Sequence, residues 1–129
     1  MPLNPEDVLA DLKKGKYSPI YFLQGDESFF IDQISDYIEA NALQEHEKGF
    51  NQLILYGKDT DLNTILANAK KFPMMSDKQV VLIKEAQELK DLGKDIDKHM
   101  PLKNFNAYLS NPLPSTILVF CHKYGKLDA

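Results

Sequence analysis

One stretch of the sequence stands where a phosphate-binding loop is found in nucleotide-binding proteins: LQGDESFF, which begins at Leu23. Such a loop needs glycines for close backbone approach and a Lys-Ser/Thr pair for the phosphates and Mg²⁺. Here Gly25 is alone and is followed by Asp26 and Glu27, whose carboxylates would repel a triphosphate. Acidic residues at this place suit the positive end of a helix dipole. We therefore expect helix capping rather than nucleotide binding at Gly25.

The end of the run QVVLIK is the place where a nucleotide hydrolase normally carries a metal-coordinating carboxylate. Lys84 stands at that point, and Glu85 follows it. A lysine cannot coordinate Mg²⁺, so the second half of an ATP-hydrolysing site is missing as well. We predict that the chain binds no cofactor and no metal ion. A nucleotide-dependent phosphotransferase with a degenerate loop around Gly25 is kept as an alternative.

The other side chains with catalytic potential are scattered along the chain. His46, His99 and His122 have no partner at the spacing of metal ligands, and we expect them at surface or loop positions. No serine stands in a nucleophile-elbow context, and no cysteine-histidine pairing is visible. Cys121 lies in the apolar run TILVFC, which predicts a buried, inert thiol. We predict no catalytic residue.

The segment KKFPMMSDKQVV, residues 70–81, is unusual because it joins a helix-like stretch to a strand-like run and should be polar. We expect Phe72 to close the core. For Met74 and Met75 two interpretations stand, a roof over the core and a partner-binding surface, because Pro73 stops the helix and presents them from a turn. Methionine is frequent at partner surfaces, and burying each side chain there would contribute about 1.5–3 kcal/mol. Our hypothesis is that both methionines face outward.

The elements that must position these residues follow from hydrophobic periodicity. Four apolar runs predict buried strands: PIYFLQ (19–24), FNQLILYG (50–57), QVVLIK (79–84) and STILVFCH (115–122). Apolar residues at helical spacing predict helices between and before them. The first helix is expected from Pro5 to Gly15, with Asn4 as cap, and the second around Phe30, Ile34, Tyr37 and Ile38. The third is expected around Leu62, Ile65, Leu66 and Ala69, with Thr60 as cap. The fourth is expected from Leu102 to Ser110, with Leu102, Phe105 and Leu109 on one face.

The alternation β-α-β-α-β-α-β predicts an α/β fold, a parallel β-sheet with helices on both faces and right-handed crossovers. Ligands of such sheets usually bind beyond the carboxyl ends of the strands. Phe72, Met74 and Met75 precede the strand at 79–84 and are therefore expected at the opposite end of the sheet. Residues 85–101 alternate in charge with little apolar periodicity, which predicts a solvated helix and mobile loop.

Length and composition indicate a single soluble domain. The 129 residues are 43% hydrophobic and 26% charged. The N-terminus lacks the apolar region of a signal peptide, and no apolar stretch approaches the roughly 20 residues that span a bilayer, so we expect a cytoplasmic protein. Since the chain stops soon after its last strand, we also expect a fragment of a longer protein.

The charge balance bears on nucleic-acid binding. A net charge of −4 and a pI near 5.3 argue mildly against a chain that grips nucleic acid on its own. A local basic patch is still possible with Lys13, Lys14, Lys16 and the pair Lys70-Lys71. A DNA-binding adaptor module is therefore kept as a further alternative.

The ordered set YFLQGDESFF, FN…YGKD-DL, AKKFPMMSDKQVVLIKEA and YLSNPLPSTILVF…K resembles the delta subunit family of the bacterial DNA polymerase III clamp loader. The resemblance covers nearly the whole chain, and it implies that residues 1–129 correspond to the N-terminal domain of that subunit. No single motif is as specific as a phosphate loop. The order and spacing together are specific, above all the aromatic-rich strand before Gly25 and the FPMM-DK-VV junction.

The resemblance implies an ATPase-like domain of the AAA+ type, related to P-loop NTPases, that has lost its nucleotide site. It implies a non-catalytic accessory subunit of a DNA-directed DNA polymerase holoenzyme, a nucleotidyltransferase of DNA replication. The lid and collar domains of the family are not in this chain. In the family, other loader subunits (gamma/tau and delta prime are its partners) bind and hydrolyse the ATP, and primed DNA is met mainly through the assembled complex.

The resemblance also implies a partner and a site. In the family this domain binds one protomer of the ring-shaped sliding clamp, the beta subunit, and holds an interface open. Its clamp-contacting element ends in two adjacent large apolar residues that enter a hydrophobic pocket, and Met74 and Met75 occupy those positions here. Many clamp-binding peptides begin with glutamine and end Leu-Phe, whereas this chain has a lysine and Met-Met. The implied clamp-binding residues are Lys70, Lys71, Phe72, Pro73, Met74 and Met75.

Overall fold

The computed structural model describes residues 5–25, 28–73, 76–95 and 97–123. Within these ranges the strands are β1 (Ile20–Gly25), β2 (Gln52–Tyr56), β3 (Gln79–Lys84) and β4 (Thr116–Lys123). The helices are α1 (Pro5–Lys13), α2 (Ser28–Asn41), α3 (Glu45–Asn51), α4 (Leu62–Ala69) and α5 (Met100–Ser110). None of the helices in the described ranges is long and apolar enough to span a lipid bilayer.

The strands form one parallel four-stranded sheet in the order β1-β4-β3-β2. Ile20 of β1 pairs with Leu118 of β4, and Val80 of β3 lies between Ile117 of β4 and Gln52 of β2. The continuous apolar runs of β3 and β4 fit their central positions, because a central strand of a parallel sheet is covered on both faces. The predicted parallel sheet is confirmed.

Alternate side chains of the central strands enter two separate cores, one on each face of the sheet. Val80 and Leu82 belong to the first core, and Val81 and Ile83 to the second. The first core packs α1 and α2 against the sheet, and the second packs α4 and α5. The prediction of helices on both faces is therefore confirmed.

The amino end of α4 is capped by two carboxylates that lie far apart in the sequence. Asp61 is the N-cap residue, and its Oδ1 accepts a hydrogen bond of 2.8 Å from the Thr64 N–H. Asp91 Oδ2 accepts a second one of 2.8 Å from the Leu62 N–H. Thr60, the expected cap, precedes the residue that performs this role, so that prediction was wrong by one position.

The segment 85–101 is folded onto the second core rather than solvated. It contains two short 3₁₀ segments, Ala86–Glu88 and Lys90–Gly93, and the side chains of Ala86, Leu89 and Asp91 are buried. His99 Nε2 lies 2.5 Å from Asp91 Oδ1, which ties this segment to the start of α5. The prediction of a solvated helix and mobile loop was wrong for the described residues, because local charge alternation hides these anchoring side chains.

Two helices differ from expectation. The helix α5 buries Phe105 and Tyr108 and leaves Leu109 half-exposed, so the predicted Leu102-Phe105-Leu109 stripe is rotated by one position at its end. The ring of Tyr108 can be buried because its hydroxyl accepts a hydrogen bond of 3.3 Å from the Leu113 N–H. The helix α3, with the sequence EHEKGFN, is too short and polar for periodicity to indicate, and it was not predicted.

Candidate functional site

The candidate site is the junction between α4 and β3, which we call the α4–β3 junction and define as residues 70–78. It precedes the amino end of β3, so it lies at the edge of the sheet opposite the carboxyl ends of the strands, as expected. Met74 and Met75, the residues expected to contact a partner, lie outside the described residues. The structure does describe both flanks of this pair.

Phe72 is the most exposed large hydrophobic side chain among the described residues, with 79% of its surface accessible. The expectation that Phe72 closes the core was wrong. The reason is that α4 ends at Ala69, and the helix has already filled the core with Leu66 and Ala69. Phe72 therefore no longer follows the helical period that would turn it inward. A single exposed ring is ordinary on a protein surface, whereas a contiguous exposed apolar patch marks a binding surface.

The first flank of the α4–β3 junction, residues 70–73, is mostly exposed. Lys70 is the C-cap residue of α4, and its N–H donates to the Leu66 carbonyl at 3.0 Å. Lys70 and Lys71 are both exposed, and Pro73 is half-buried. Two cations therefore flank the exposed ring of Phe72 on its amino-terminal side.

Hydrogen bonds from the buried Gln79 side chain hold the backbone just before Phe72. The Gln79 amide nitrogen lies 2.7 Å from the Lys71 carbonyl and 2.9 Å from Thr116 Oγ1. The Thr116 hydroxyl in turn donates to the Ala69 carbonyl at 2.7 Å. The last carbonyls of a helix lack intrahelical donors, so these bonds satisfy groups that would otherwise be unpaired. Gln79 and Thr116 are both buried, which strengthens this arrangement.

The second flank of the α4–β3 junction, residues 76–78, is hydrogen-bonded to α3. The Ser76 hydroxyl donates to Glu47 Oε2 at 2.7 Å. The other oxygen of this carboxylate accepts from the Gln44 N–H at 2.9 Å, at the start of α3. The hydrogen bond from Ser76, followed by that from Gln44, lowers the pKa of Glu47 below its ordinary value. One carboxylate thus joins the amino end of α3 to the α4–β3 junction.

A cleft of about 500 Å³ opens beside this second flank. Its lining includes Tyr17 after α1, Tyr37 of α2, Gln44 and Glu47 at the start of α3, and Lys78 of the junction. The Lys78 ammonium lies 4.9 Å from the centre of the Tyr17 ring, a cation–π contact. The α4–β3 junction therefore carries an exposed ring on its first flank and lies beside a polar cleft on its second flank.

The carboxyl edge of the sheet has a different character. Lys84 at the end of β3 pairs with Glu39 at 3.3 Å, and Lys123 at the end of β4 pairs with Asp32 at 2.7 Å. The hydrogen bond that the Lys123 ammonium donates to Asp32 raises the pKa of Lys123. Two cations that stand at strand ends are thus engaged by carboxylates of α2. Asp26 and Glu27 of the supposed phosphate loop lie outside the described residues.

The remaining chemical groups are placed as follows. Cys121 is buried in the first core, as predicted, and burial raises the pKa of its thiol. Among the histidines, His99 is paired with Asp91, His46 is exposed on α3, and His122 lies on β4 near the Phe22 ring at 5.7 Å between centroids. In the described part of the chain no group of three His, Cys, Asp or Glu side chains could hold a metal ion.

Sequence reasoning missed the residues that hold the α4–β3 junction, namely Gln79, Thr116, Ser76 and Glu47. Gln79 and Thr116 each begin an apolar run, and they are partners in the register of β3 and β4. The sequence feature that could have indicated these residues is a polar residue at the first position of each of two neighbouring strands. It becomes interpretable only when the strand order is known, because 37 residues separate the two.

Comparison with known proteins gives consistent results. A family model for DNA polymerase III, delta subunit, matches residues 21–129. The DNA polymerase III subunit delta of Bacillus subtilis (strain 168) is 28% identical over 122 residues, which are 95% of this chain and 35% of that protein. The solved structure of the Bacillus subtilis DNA clamp loader delta protein matches with a TM-score of 0.79 and 27% identity, over 97% of this chain and 37% of that chain. The chain thus spans little more than a third of the length of these relatives.

Proposed function

The chain belongs to the DNA polymerase III delta subunit family, and we propose that it is the part of a clamp-loader delta subunit that binds the sliding clamp. In this proposal it is an accessory, non-catalytic component of DNA replication that helps to open the clamp ring for loading onto primed DNA. The α4–β3 junction is the contact surface. The observation that carries the proposal is the exposed ring of Phe72 on a junction whose two flanks are hydrogen-bonded to the body of the domain.

The proposed contact is mainly apolar. Met74 and Met75 enter a hydrophobic pocket on the clamp, and Phe72 packs beside them. Burying a methionine or phenylalanine side chain contributes about 1.5–3 kcal/mol, so three such side chains are enough for a specific interface with a few dominant residues. Pro73 limits the shapes of the segment between them, because its ring restricts the backbone dihedral φ.

The charged residues and the position at the sheet edge complete the proposed mechanism. Lys70 and Lys71 lie at the rim, where they steer association with an acidic partner surface more than they add affinity. The apolar side chains anchor in the clamp while the end of α4 and the following turn press against the clamp's ring interface. Opening of the ring then requires no chemistry from this chain.

We further propose that this chain is an AAA+-type domain, residues 1–129, without a working nucleotide site, and that lid and collar domains follow it in the complete subunit. The ion pairs of Lys84 and Lys123 with Glu39 and Asp32 support this, because these pairs neutralise cations at the strand ends where such sheets usually bind ligands. Binding and hydrolysis of ATP are left to the gamma/tau subunits, with delta prime as a further partner.

The test is a titration of this chain against the cognate sliding clamp by calorimetry or surface plasmon resonance. The double variant Met74→Ala/Met75→Ala should weaken binding by at least about a hundredfold, since each truncation removes about 1.5 kcal/mol or more. Phe72→Ala should weaken it about tenfold by the same reasoning. A parent chain that does not bind, or a double variant that binds as the parent does, would refute the proposal.

Phe29 provides a matched control. It is also an exposed phenylalanine, with 66% of its surface accessible, but it lies in the first turn of α2, which follows the carboxyl end of β1. Phe29→Ala should leave clamp affinity unchanged. Measurable ATP affinity that is lost on substitution near Gly25 would instead favour the phosphotransferase alternative, and salt-dependent DNA binding by this chain would favour the adaptor alternative.

A further inference from the structure

We propose that Gln79 and Ser76 are positioning residues, which hold the two flanks of the α4–β3 junction in the shape that binds the partner. They act through the backbone of the junction and need not touch the partner themselves. The inference rests on the proposed function, because it concerns the same surface. It adds that affinity for the clamp depends on hydrogen bonds from β3 and α3 to the junction, in addition to the exposed side chains of the junction.

The first link is made by Gln79. Its amide nitrogen donates to the Lys71 carbonyl at 2.7 Å, on the residue immediately before Phe72. The same nitrogen also lies 2.9 Å from Thr116 Oγ1 and 3.1 Å from the Asn68 carbonyl, and its two N–H groups are shared among these acceptors, which hold the amide in place. Since Gln79 is buried at the first position of β3, the exposed ring of Phe72 is attached to a rigid central strand.

The second link is made by Ser76. Its hydroxyl donates to Glu47 Oε2 at 2.7 Å, and it also lies 3.3 Å from the Lys78 N–H, which donates to it. Glu47 is itself held by the Gln44 N–H, so the link ends in a fixed helix start rather than in a free side chain. One link thus fixes the Lys71 carbonyl on the first flank of the α4–β3 junction, and the other fixes Ser76 on the second flank.

Constraint of both ends matters because ordering a segment at binding costs free energy. Each residue fixed in one conformation costs conformational entropy, and this cost is subtracted from the affinity if it is incurred only in the complex. A segment whose flanks are already held loses less on binding. Removal of one link should therefore weaken binding about three- to tenfold, the effect of one hydrogen bond.

The experiment compares the clamp affinities of the parent chain, of the variants Gln79→Met and Ser76→Ala, and of a synthetic peptide covering residues 70–76. The peptide carries the contact residues without either link, so it defines the affinity of the unconstrained segment. We expect each variant to fall between the parent and the peptide. Ser76→Thr keeps the hydroxyl and should restore the parent affinity. Ser76 is only partly buried, so Ser76→Ala keeps the test valid even if Gln79→Met does not fold.

A control separates positioning from general stability. Asp61→Ala removes the cap at the amino end of α4 and lowers the stability of the same helix, but it leaves both links in place. We expect Asp61→Ala to bind the clamp as the parent does. The NMR chemical shift of the Lys71 carbonyl carbon in the free chain gives a second readout, because this carbonyl accepts the bond, and it should change in Gln79→Met but not in Asp61→Ala.

The outcomes are distinguishable. Parent-like affinity of both Gln79→Met and Ser76→Ala, or an equal loss in Asp61→Ala, would overturn the positioning role and leave the proposed function intact. A parent chain that does not bind the clamp would overturn the proposed function itself, and the positioning role with it. Loss of affinity in Ser76→Ala that Ser76→Thr does not restore would also count against the hydrogen bond as the cause.

Discussion

Replacing Thr116 by valine should destabilise the chain by about 2–4 kcal/mol, although the two side chains have nearly the same shape. Thr116 is fully buried at the first position of β4. Its hydroxyl donates to the Ala69 carbonyl at 2.7 Å and accepts from the Gln79 amide at 2.9 Å. Valine fills the space and makes neither bond.

The magnitude follows from the two groups that would be left without this partner. A buried donor or acceptor that loses its partner costs about 1–3 kcal/mol. The Gln79 amide nitrogen lies 3.4 Å from the Ala69 carbonyl and can move towards it, so part of the cost is recovered. The sum is about 2–4 kcal/mol, which for a chain of this length lowers the melting temperature by roughly 8–15 °C.

Urea denaturation followed by circular dichroism measures this effect, with an unchanged slope m as the sign that both chains unfold in the same way. Thr116→Ser is the matched control, because it keeps the hydroxyl and loses only a methyl group, at a cost of about 1 kcal/mol. If Thr116→Val were within about 0.5 kcal/mol of the parent, the hydroxyl would not be holding the end of α4.

Three further predictions concern other parts of the fold. Gly57→Ala should lower the free energy of unfolding by about 2 kcal/mol or more in urea denaturation, because a Cβ at Gly57 would overlap the Glu85 carbonyl, and Gly49→Ala, where a Cβ meets nothing, should not. The Cys121 thiol should react with a maleimide only in denaturant, because burial both blocks it and raises its pKa; rapid labelling of the folded chain at pH 8 would contradict this. The hydrogen bonds from the Thr64 backbone N–H and side chain hold the pKa of Asp61 below its ordinary value, so its stabilising effect is present above the unfolded pKa and is lost as pH falls through the lower folded pKa. The stability difference between the parent and Asp61→Ala should accordingly shrink on acidification, and a difference that does not change with pH would exclude the carboxylate as its origin.

The fold was predictable from the sequence where the signal is local. The bounds of β3 agree with the predicted run QVVLIK at both ends, since a central strand of a parallel sheet is apolar on both faces. The alternation of strands and helices was enough to predict a parallel sheet with covered faces. The short polar helix α3 was missed because its formation depends on packing and capping contacts rather than on periodicity.

The candidate site was predictable only in part. The α4–β3 junction was recognised because apolar residues stand where a turn should be polar, and its place at the amino edge of the sheet followed from chain order. The orientation of Phe72 was predicted wrongly, because the sequence does not show that α4 ends at Ala69 and that its core positions are already filled. The outward orientation of Met74 and Met75 stays a prediction, since they lie outside the described residues.

The sequence by itself determined the elements, since each strand and most helices are encoded by side chains a few residues apart that must face one side of a local repeat. Only the tertiary structure decided what holds the junction. The strand order β1-β4-β3-β2 places β4 beside β3, so Thr116 meets Gln79 across 37 residues and Ala69 across 47 residues of sequence. A hydrogen bond needs two atoms within about 3 Å, and no local pattern specifies that distance between residues so far apart in the chain. The sequence thus marks the α4–β3 junction by its apolar residues, and the packing of the sheet decides which residues hold its described flanks.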